Sequence, residues 1–167
     1  MKKTVLSLFC MLTIIGLQAQ TVTKVTHKKA LKTDVVTTGT LTVHKPSYIC
    51  ISTDADKDQL MMDGTQFTMT IGGKKHVTDS RKNPQFATFQ SVLTAVINGQ
   101  PIPASEDLTV VTKNGQQTIT ITPTGKKRQM FTSFQLVVDA KTSAFRQLRL
   151  NDRSGGYMEY TFQYRSK

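Results

Sequence analysis

The most regular helical pattern in the chain runs from Asn83 to Gly99, whereas the other segments have the periodicity of β-strands. Large apolar residues recur in it at steps of three or four, which places them on one face of a helix. These residues are Phe86, Phe89, Leu93, Val96 and Ile97. Asn83 suits an N-cap, Pro84 suits the first turn, and Gly99 suits the C-terminal end. The pattern therefore predicts one amphipathic helix that needs an apolar partner.

Segments on both sides of this helix alternate between apolar and polar residues, as half-buried strands do. Turn signals separate these segments, among them Asp63-Gly64, Gly72-Gly73, Asn114-Gly115 and Gly155-Gly156. Strands that are joined by tight turns pair in antiparallel order. We predict a mainly β fold of about ten antiparallel strands. Residues 21–32 carry several lysines and are predicted only as an edge strand or a loose N-terminal arm.

The widths of the predicted elements indicate that the sheet is curved. Ten strands at a spacing of about 4.8 Å would make a flat sheet about 48 Å wide. The predicted helix is about 22 Å long and about 10 Å thick, so it cannot cover such a sheet. We therefore predict a half-open barrel with the helix in its mouth or against its concave face. The pattern leaves open whether this helix is a fixed plug or a lid that a ligand displaces.

The first nineteen residues have the pattern of a secretory signal peptide. Lys2 and Lys3 form a basic start, the segment from Val5 to Leu17 is almost continuously apolar, and Ala19 is a small residue at the cleavage point. The apolar segment is too short for a good membrane span. We predict an exported protein with a signal peptide over residues 1–19 and a single domain over residues 20–167.

The chain is basic, with a formal net charge of +11, of which the two lysines of the leader contribute two. Basic proteins often bind nucleic acid. An exported protein rarely meets nucleic acid, so this partner is not predicted. A membrane surface, an acidic partner or an anionic headgroup fits better, and a role in solubility alone is equally consistent. The basic turn from Lys126 to Arg128 is predicted to be solvated, with docking as the alternative.

One acidic segment resembles the start of a calcium loop but does not continue as one. Asp54, Asp56 and Asp58 have the alternating spacing of such a loop. Gln59 and Thr65 then occupy the positions where the loop needs glycine and a bidentate glutamate. We predict a solvated turn at this segment and no metal site.

The histidines and the mature cysteine also lack the spacing of a catalytic or zinc site. His27, His44 and His76 lie far apart in the chain and form no metal-binding motif. Cys50 lies in an apolar segment and is predicted to be a small buried hydrophobe. A hydrolase that uses Cys50 or a histidine is the weaker hypothesis. We predict no catalytic residue and no cofactor.

The apolar positions of the predicted strands are more informative than these polar residues. Trp is absent and Met is frequent, and flexible thioethers suit a surface that repacks around variable apolar ligands. Methionines also fill gaps in ordinary cores, so this composition does not decide between the two roles. The predicted apolar strand face consists of Leu41, Val43, Leu60, Met62, Phe67, Met69, Ile71, Phe134, Leu136, Met158, Tyr160 and Phe162.

Two groups of segments follow each other in a distinctive order. The first is Thr38-Gly39-Thr-Leu-Thr-Val-His-Lys45-Pro46, followed after one strand by Leu60-Met-Met-Asp63-Gly64-Thr-Gln-Phe67. The second is Phe134-Gln-Leu-Val-Val-Asp139, then Leu148-Arg-Leu-Asn-Asp152, Gly155 and Tyr160-Thr-Phe162. Together they extend from about residue 37 to residue 164, and their order resembles the periplasmic outer-membrane lipoprotein carriers of the LolA type.

The resemblance implies a non-enzymatic, monomeric half-barrel that shields the acyl chains of lipoproteins in an apolar cavity. Its partners would be an inner-membrane release complex and an outer-membrane acceptor. The twelve strand residues would bind lipid, and the helix with its five apolar residues would be the lid. A lipid-sensing or structural envelope module of the same fold, which does not transfer its ligand, is the alternative.

The resemblance also assigns one position and raises one question. Lys45 matches a basic residue that helps to hold the lid closed in the family, although lysine lacks the planar fork of arginine. Family members usually begin with a helix and a complete first strand. The segment from Gln20 to Val36 is too short for both, so the resemblance implies either a lid reduced to the central helix or a shortened member whose carrier activity is compromised.

Overall fold

The computed structural model describes residues 20–124 and 129–164. The predicted signal peptide and the basic turn from Lys126 to Arg128 lie outside these residues. Within them the chain forms eleven strands, one more than predicted, and one α-helix, α1 (Pro84–Ile97). In chain order the strands are β1 (Gln20–Lys28), β2 (Thr33–His44), β3 (Tyr48–Thr53), β4 (Asp58–Asp63), β5 (Gln66–Ile71), β6 (Lys74–Asp79), β7 (Leu108–Lys113), β8 (Gln116–Ile121), β9 (Phe131–Asp139), β10 (Phe145–Asp152) and β11 (Tyr157–Gln163).

All eleven strands belong to one antiparallel sheet, in the spatial order β6-β5-β4-β3-β2-β1-β11-β10-β9-β8-β7. The sheet does not close into a barrel, which confirms the predicted mainly β, half-open architecture. Most neighbours are also consecutive in the chain because tight turns join them. The exception is the pair β1–β11, which brings the two ends of the described chain together in the middle of the sheet.

The prediction for the N-terminal segment was wrong, because β1 is the central strand. It pairs along its whole length with β2, and seven of its residues pair with β11. Val22 and Lys24 are both buried, and the lysine hides this alternation from a hydrophobicity pattern. The segment was predicted to be too short for both a helix and a complete first strand, and it forms the complete strand.

The helix ends form as the sequence predicts. The Asn83 side chain accepts a hydrogen bond from the backbone N–H of Gln85 at 3.2 Å, and Pro84 follows at the first helical position. At the other end, Gly99 has a φ of +64° and its N–H donates to the Val96 carbonyl at 3.1 Å. The N–H of Gln100 reaches back to Ala95 at 2.8 Å, which completes a Schellman motif.

Gly39 lies where the sheet bends most closely on itself. A β-carbon at this position would lie 1.8 Å from the Ser52 carbonyl oxygen and 2.7 Å from the Thr53 α-carbon. The strands on either side of β2, which are β1 and β3, also approach each other. Both of the crowding groups are backbone atoms, so a side chain at residue 39 would push β2 and β3 apart.

We expect Gly39→Ala to lower the free energy of unfolding by about 1–3 kcal/mol or more, the usual range for overpacking. Urea unfolding followed by circular dichroism measures this loss, since the chain has no Trp. Thr40→Ala is the matched control because Thr40 is exposed on the same strand. Equal stabilities of the two variants would contradict the proposed crowding.

Candidate functional site

The helix covers the concave face of the sheet and joins its two edges. In the chain α1 follows β6 and precedes β7, which are the two edge strands. Its five predicted apolar residues are all buried, with Phe89 fully inaccessible, and Val92 is buried beside them. The helix therefore spans the mouth of the half-barrel, as the width argument predicted.

Four aromatic rings join the two sides of the half-barrel through the helix. The Phe89 ring stacks on Phe134 of β9, with 4.6 Å between ring centroids, and lies 5.7 Å from Phe67 of β5. The Phe86 ring lies 5.0 Å from Phe67 and 5.7 Å from Phe134. Each helix ring thus contacts strands from both halves of the sheet, so displacement of α1 would expose apolar surface on both.

Most of the predicted strand residues meet in this core. Nine of the twelve are buried, and Val43 and Met158 pack against the core while remaining partly exposed. Their role in lipid binding stays a prediction. The buried nine are Leu41, Leu60, Met62, Phe67, Met69, Phe134, Leu136, Tyr160 and Phe162.

Ile71 is the one predicted residue that the structure places outside the core. Its side chain is 42% exposed, although it follows Phe67 and Met69 in the alternation along β5. It is the last residue of β5 before the Gly72-Gly73 turn, where the strand has passed the end of the packed region. Alternation predicts the face of a strand but not how far the covering helix extends along it.

Several core residues were not singled out by the sequence analysis. Alternation along β3, β8 and β10 would have identified most of them, because these strands also have buried residues at every second position, whereas Lys24 hides the alternation in β1. The residues missed in this way include Val22, Ile49, Ile51, Ile119, Ile121, Phe131, Phe145, Leu148 and Leu150.

A cavity of about 880 Å³ opens beside the N-terminal end of α1. This volume lies within the range of about 300–1,000 Å³ that is usual for small-molecule pockets. Leu60, Phe67 and Met69 form the strand wall, and Phe86 and Met130 form the opposite side. The cavity therefore offers an apolar surface that is accessible without any movement of the helix.

Polar contacts also fasten the helix to the rest of the fold. The Asn98 side-chain amide donates to the Pro46 carbonyl in the β2–β3 turn at 2.7 Å. The Thr88 hydroxyl donates to the Asp107 carboxylate, whose oxygens lie at 2.9 and 3.0 Å. These contacts connect α1 to both halves of the sheet. Water can replace the protein partner in each of these hydrogen bonds when the helix moves away.

Lys45, the predicted latch, is exposed in the β2–β3 turn. The turn does contact the helix, but through the backbone of the next residue, Pro46, which binds Asn98. A direct latch role for the Lys45 side chain stays a prediction, whereas the turn itself is part of the helix attachment.

A buried ion pair reaches across the concave face. The Lys24 ammonium of β1 contacts the Asp58 carboxylate of β4 at 2.6 Å, and their side chains are 2% and 17% exposed. Three strand intervals separate β1 from β4, which is about 14 Å in a flat sheet whose side chains stand perpendicular to it. The contact is therefore direct evidence of strong curvature, and the predicted solvated turn was wrong for Asp58.

The surroundings of this pair favour the charged carboxylate. Burial alone acts to raise the pKa of Asp58, but hydrogen bonds from Lys24 and from the Gly72 N–H, together with the lysine charge, outweigh it and lower that pKa. The Gly72 N–H donates to the other carboxylate oxygen at 2.7 Å. The nearby Tyr160 hydroxyl is buried, which raises its pKa, and it stays neutral.

Cys50 does not have the surroundings of a nucleophile. It is partly exposed on β3, whereas a small buried hydrophobe was predicted, so that part of the prediction was wrong. Burial raises the pKa of its thiol despite a hydrogen bond from Tyr48 that acts the other way. A raised pKa keeps the sulfur in its unreactive protonated form at neutral pH.

No helix within residues 20–124 and 129–164 has the length and apolar character that a membrane span requires. The fold and the site together define an antiparallel half-barrel whose apolar interior is covered by one helix and reached through a side cavity. The family described as outer membrane lipoprotein carrier protein LolA matches residues 14–166, so the chain belongs to this family.

The solved structures that match the chain are distant in sequence and have low TM-scores. A LolA superfamily protein from Nitrosomonas europaea is 7% identical, with a TM-score of 0.33, and the match covers 89% of this chain and 86% of that one. LprF from Mycobacterium bovis is 11% identical, with a TM-score of 0.34 and coverages of 89% and 85%. A DUF1329 family protein from Desulfovibrio piger is 11% identical, with a TM-score of 0.36 and coverages of 90% and 87%. No curated protein matches the chain significantly.

Proposed function

We propose that this protein is a non-enzymatic, monomeric periplasmic carrier that shields lipid acyl chains and transfers lipoproteins toward the outer membrane. The observation that carries the proposal is the large apolar concave face, whose cover is one helix attached through a few polar contacts. Membership of the LolA family supports the same function. A release complex of the inner membrane would supply the cargo, and an outer-membrane acceptor would receive it.

The mechanism is a competition between two apolar partners for one surface. Without cargo, the buried side chains of α1 occupy the concave face, which is worth about 7–15 kcal/mol gross as an upper value. Acyl chains that bury a similar area replace this contribution and displace the helix. The affinity for cargo stays moderate, because the helix competes for the same surface and favours release to the acceptor.

The first test is native mass spectrometry of the protein purified from the cell envelope. We expect a bound lipid or lipopeptide to accompany it, and the delipidated protein to bind an apolar dye such as N-phenylnaphthylamine. An exported protein of similar size, purified in parallel, controls for lipid that adheres during extraction. The absence of both bound lipid and dye binding would overturn the proposal.

Depletion in cells separates the carrier from a module that binds lipid without transferring it. Loss of the carrier is expected to leave lipoproteins at the inner membrane. Normal lipoprotein localisation after depletion, with lipid binding intact, would instead favour the sensing or structural alternative.

A further inference from the structure

Gln85, the second residue of α1, has a buried donor without a partner. Its side chain is only 4% exposed, and its carbonyl oxygen accepts the backbone N–H of Met130 at 3.1 Å. This hydrogen bond distinguishes the side-chain oxygen of Gln85 from its nitrogen, because a backbone N–H needs an acceptor. The amide nitrogen is then left without a hydrogen bond to any described residue, and Gln85 lines the cavity.

A donor in this situation points to a missing acceptor. Buried polar groups are nearly always hydrogen-bonded, because the loss of their hydration is otherwise not compensated. The Met130 contact prevents the amide from turning over to exchange its two ends. The nitrogen has almost no exposed surface in this structure, so an oxygen atom of a ligand would complete the bonding of this side chain once the ligand displaces the atoms that cover it.

The rest of the cavity restricts the chemistry of that ligand. About half of its lining residues are apolar, among them Phe67 and Met69 on the strand side, and these suit an alkyl chain. Lys82 and His76 stand exposed at the rim, and none of the described lining residues is acidic. The matching ligand has an oxygen acceptor at the end of a long hydrocarbon chain.

We propose that the Gln85 amide nitrogen binds the acyl carbonyl oxygen of a lipid whose chain lies in this cavity. The carbonyl belongs either to a free fatty carboxylate or to an ester or amide of a larger lipid. Lys82 adds attraction for the charged carboxylate alone. This inference rests on the proposed function and adds to it a site for one acyl group that is present while α1 is in place, with the polar head near the start of α1.

The test is Gln85→Glu, which keeps an oxygen for the Met130 N–H but replaces the donor by an acceptor. Gln90→Glu makes the same change on the same helix, away from the cavity lining. Binding of N-phenylnaphthylamine, which has no carbonyl, is titrated first. Its displacement by palmitate and by methyl palmitate then measures recognition of the acyl group.

We expect Gln85→Glu to weaken both palmitate ligands about tenfold or more, as the loss of one buried hydrogen bond does, with dye affinity unchanged. Gln90→Glu should change neither. Equal behaviour of the two variants would overturn the assignment. If Gln85→Glu does not fold, judged by its circular dichroism melt, Gln85→Met removes the same donor without a charge and carries the same expectation.

Lys82→Gln distinguishes the two sources of the carbonyl. It is expected to weaken palmitate and to leave methyl palmitate unchanged, because only palmitate carries a charge. If Lys82→Gln weakened both ligands equally, Lys82 at the rim would be the group that binds the carbonyl. That result would contradict the role assigned to Gln85. Failure of the wild-type protein to bind dye and both palmitates would instead reject the proposed function itself.

Discussion

Asp58→Asn is expected to lower the free energy of unfolding by about 3–5 kcal/mol, the usual effect of removing one partner of a buried ion pair. Asparagine keeps the shape of the side chain and an oxygen for the Gly72 N–H, so the main change is the lost negative charge. The Lys24 ammonium, only 2% exposed, is then left buried without a counter-charge. Such a loss is a large part of the stability of an ordinary domain.

The reverse change, Lys24→Met, is expected to destabilise less. The Asp58 side chain is 17% exposed, so its unpaired carboxylate keeps part of its hydration. Methionine also retains most of the apolar stem of the lysine side chain. The double variant Lys24→Met, Asp58→Asn combines the same two changes, leaves no buried charge and should recover most of the loss.

The same pair makes stability depend on acid pH. The pKa of Asp58 is lowered on folding, so its contribution is fully present above the unfolded pKa of about 4. That contribution is lost as the pH falls through the lower pKa of the folded state. Wild-type stability should therefore decline more steeply below pH 4 than that of the double variant.

Urea unfolding of the four proteins at neutral and acid pH measures both effects. The ion-pair account requires Asp58→Asn to be the least stable at neutral pH. It would be contradicted if the double variant lost as much as the sum of the two single changes, since that would make the contributions independent.

The sequence predicted those features that depend on neighbouring residues. The helix, its Asn83 cap and its Gly99 end were correct because their signals lie within one segment. The turns and the alternating strands were correct for the same reason. The curvature of the sheet was also predicted correctly, because that prediction required only the number of strands and the dimensions of one helix.

Features that depend on distant pairing were not predictable in this way. The place of β1 at the centre of the sheet is decided by β11, far away in the chain. Lys24 appeared to be one more surface lysine because its partner, Asp58, lies 34 residues away. The free donor of Gln85 likewise depends on Met130, which a helical pattern does not reveal.

A disulfide that fixes α1 to the sheet is expected to abolish lipopeptide uptake. Thr88 and Asp107 already contact each other through their side chains, and the Asp107 carbonyl is held by the N–H of Thr122 at 2.8 Å. Thr88→Cys with Asp107→Cys, in a Cys50→Ala background, therefore joins the helix to the edge formed by β7 and β8. The oxidised form should be stabilised by about 3 kcal/mol.

The open cavity provides an internal control for this variant. A small apolar dye can enter it while the helix stays in place, so dye binding should survive oxidation and show that the fold is intact. A lipopeptide with several acyl chains needs the concave face beneath α1, where Phe67 and Phe134 contact the helix rings. Only the larger ligand should respond to the disulfide.

Lipopeptide uptake by this variant in its oxidised and reduced forms tests most directly whether α1 is a movable lid. We expect no uptake by the oxidised protein and full recovery after reduction, with dye binding equal in the two forms. Equal lipopeptide uptake by both forms would contradict the account and would make α1 a fixed part of the core.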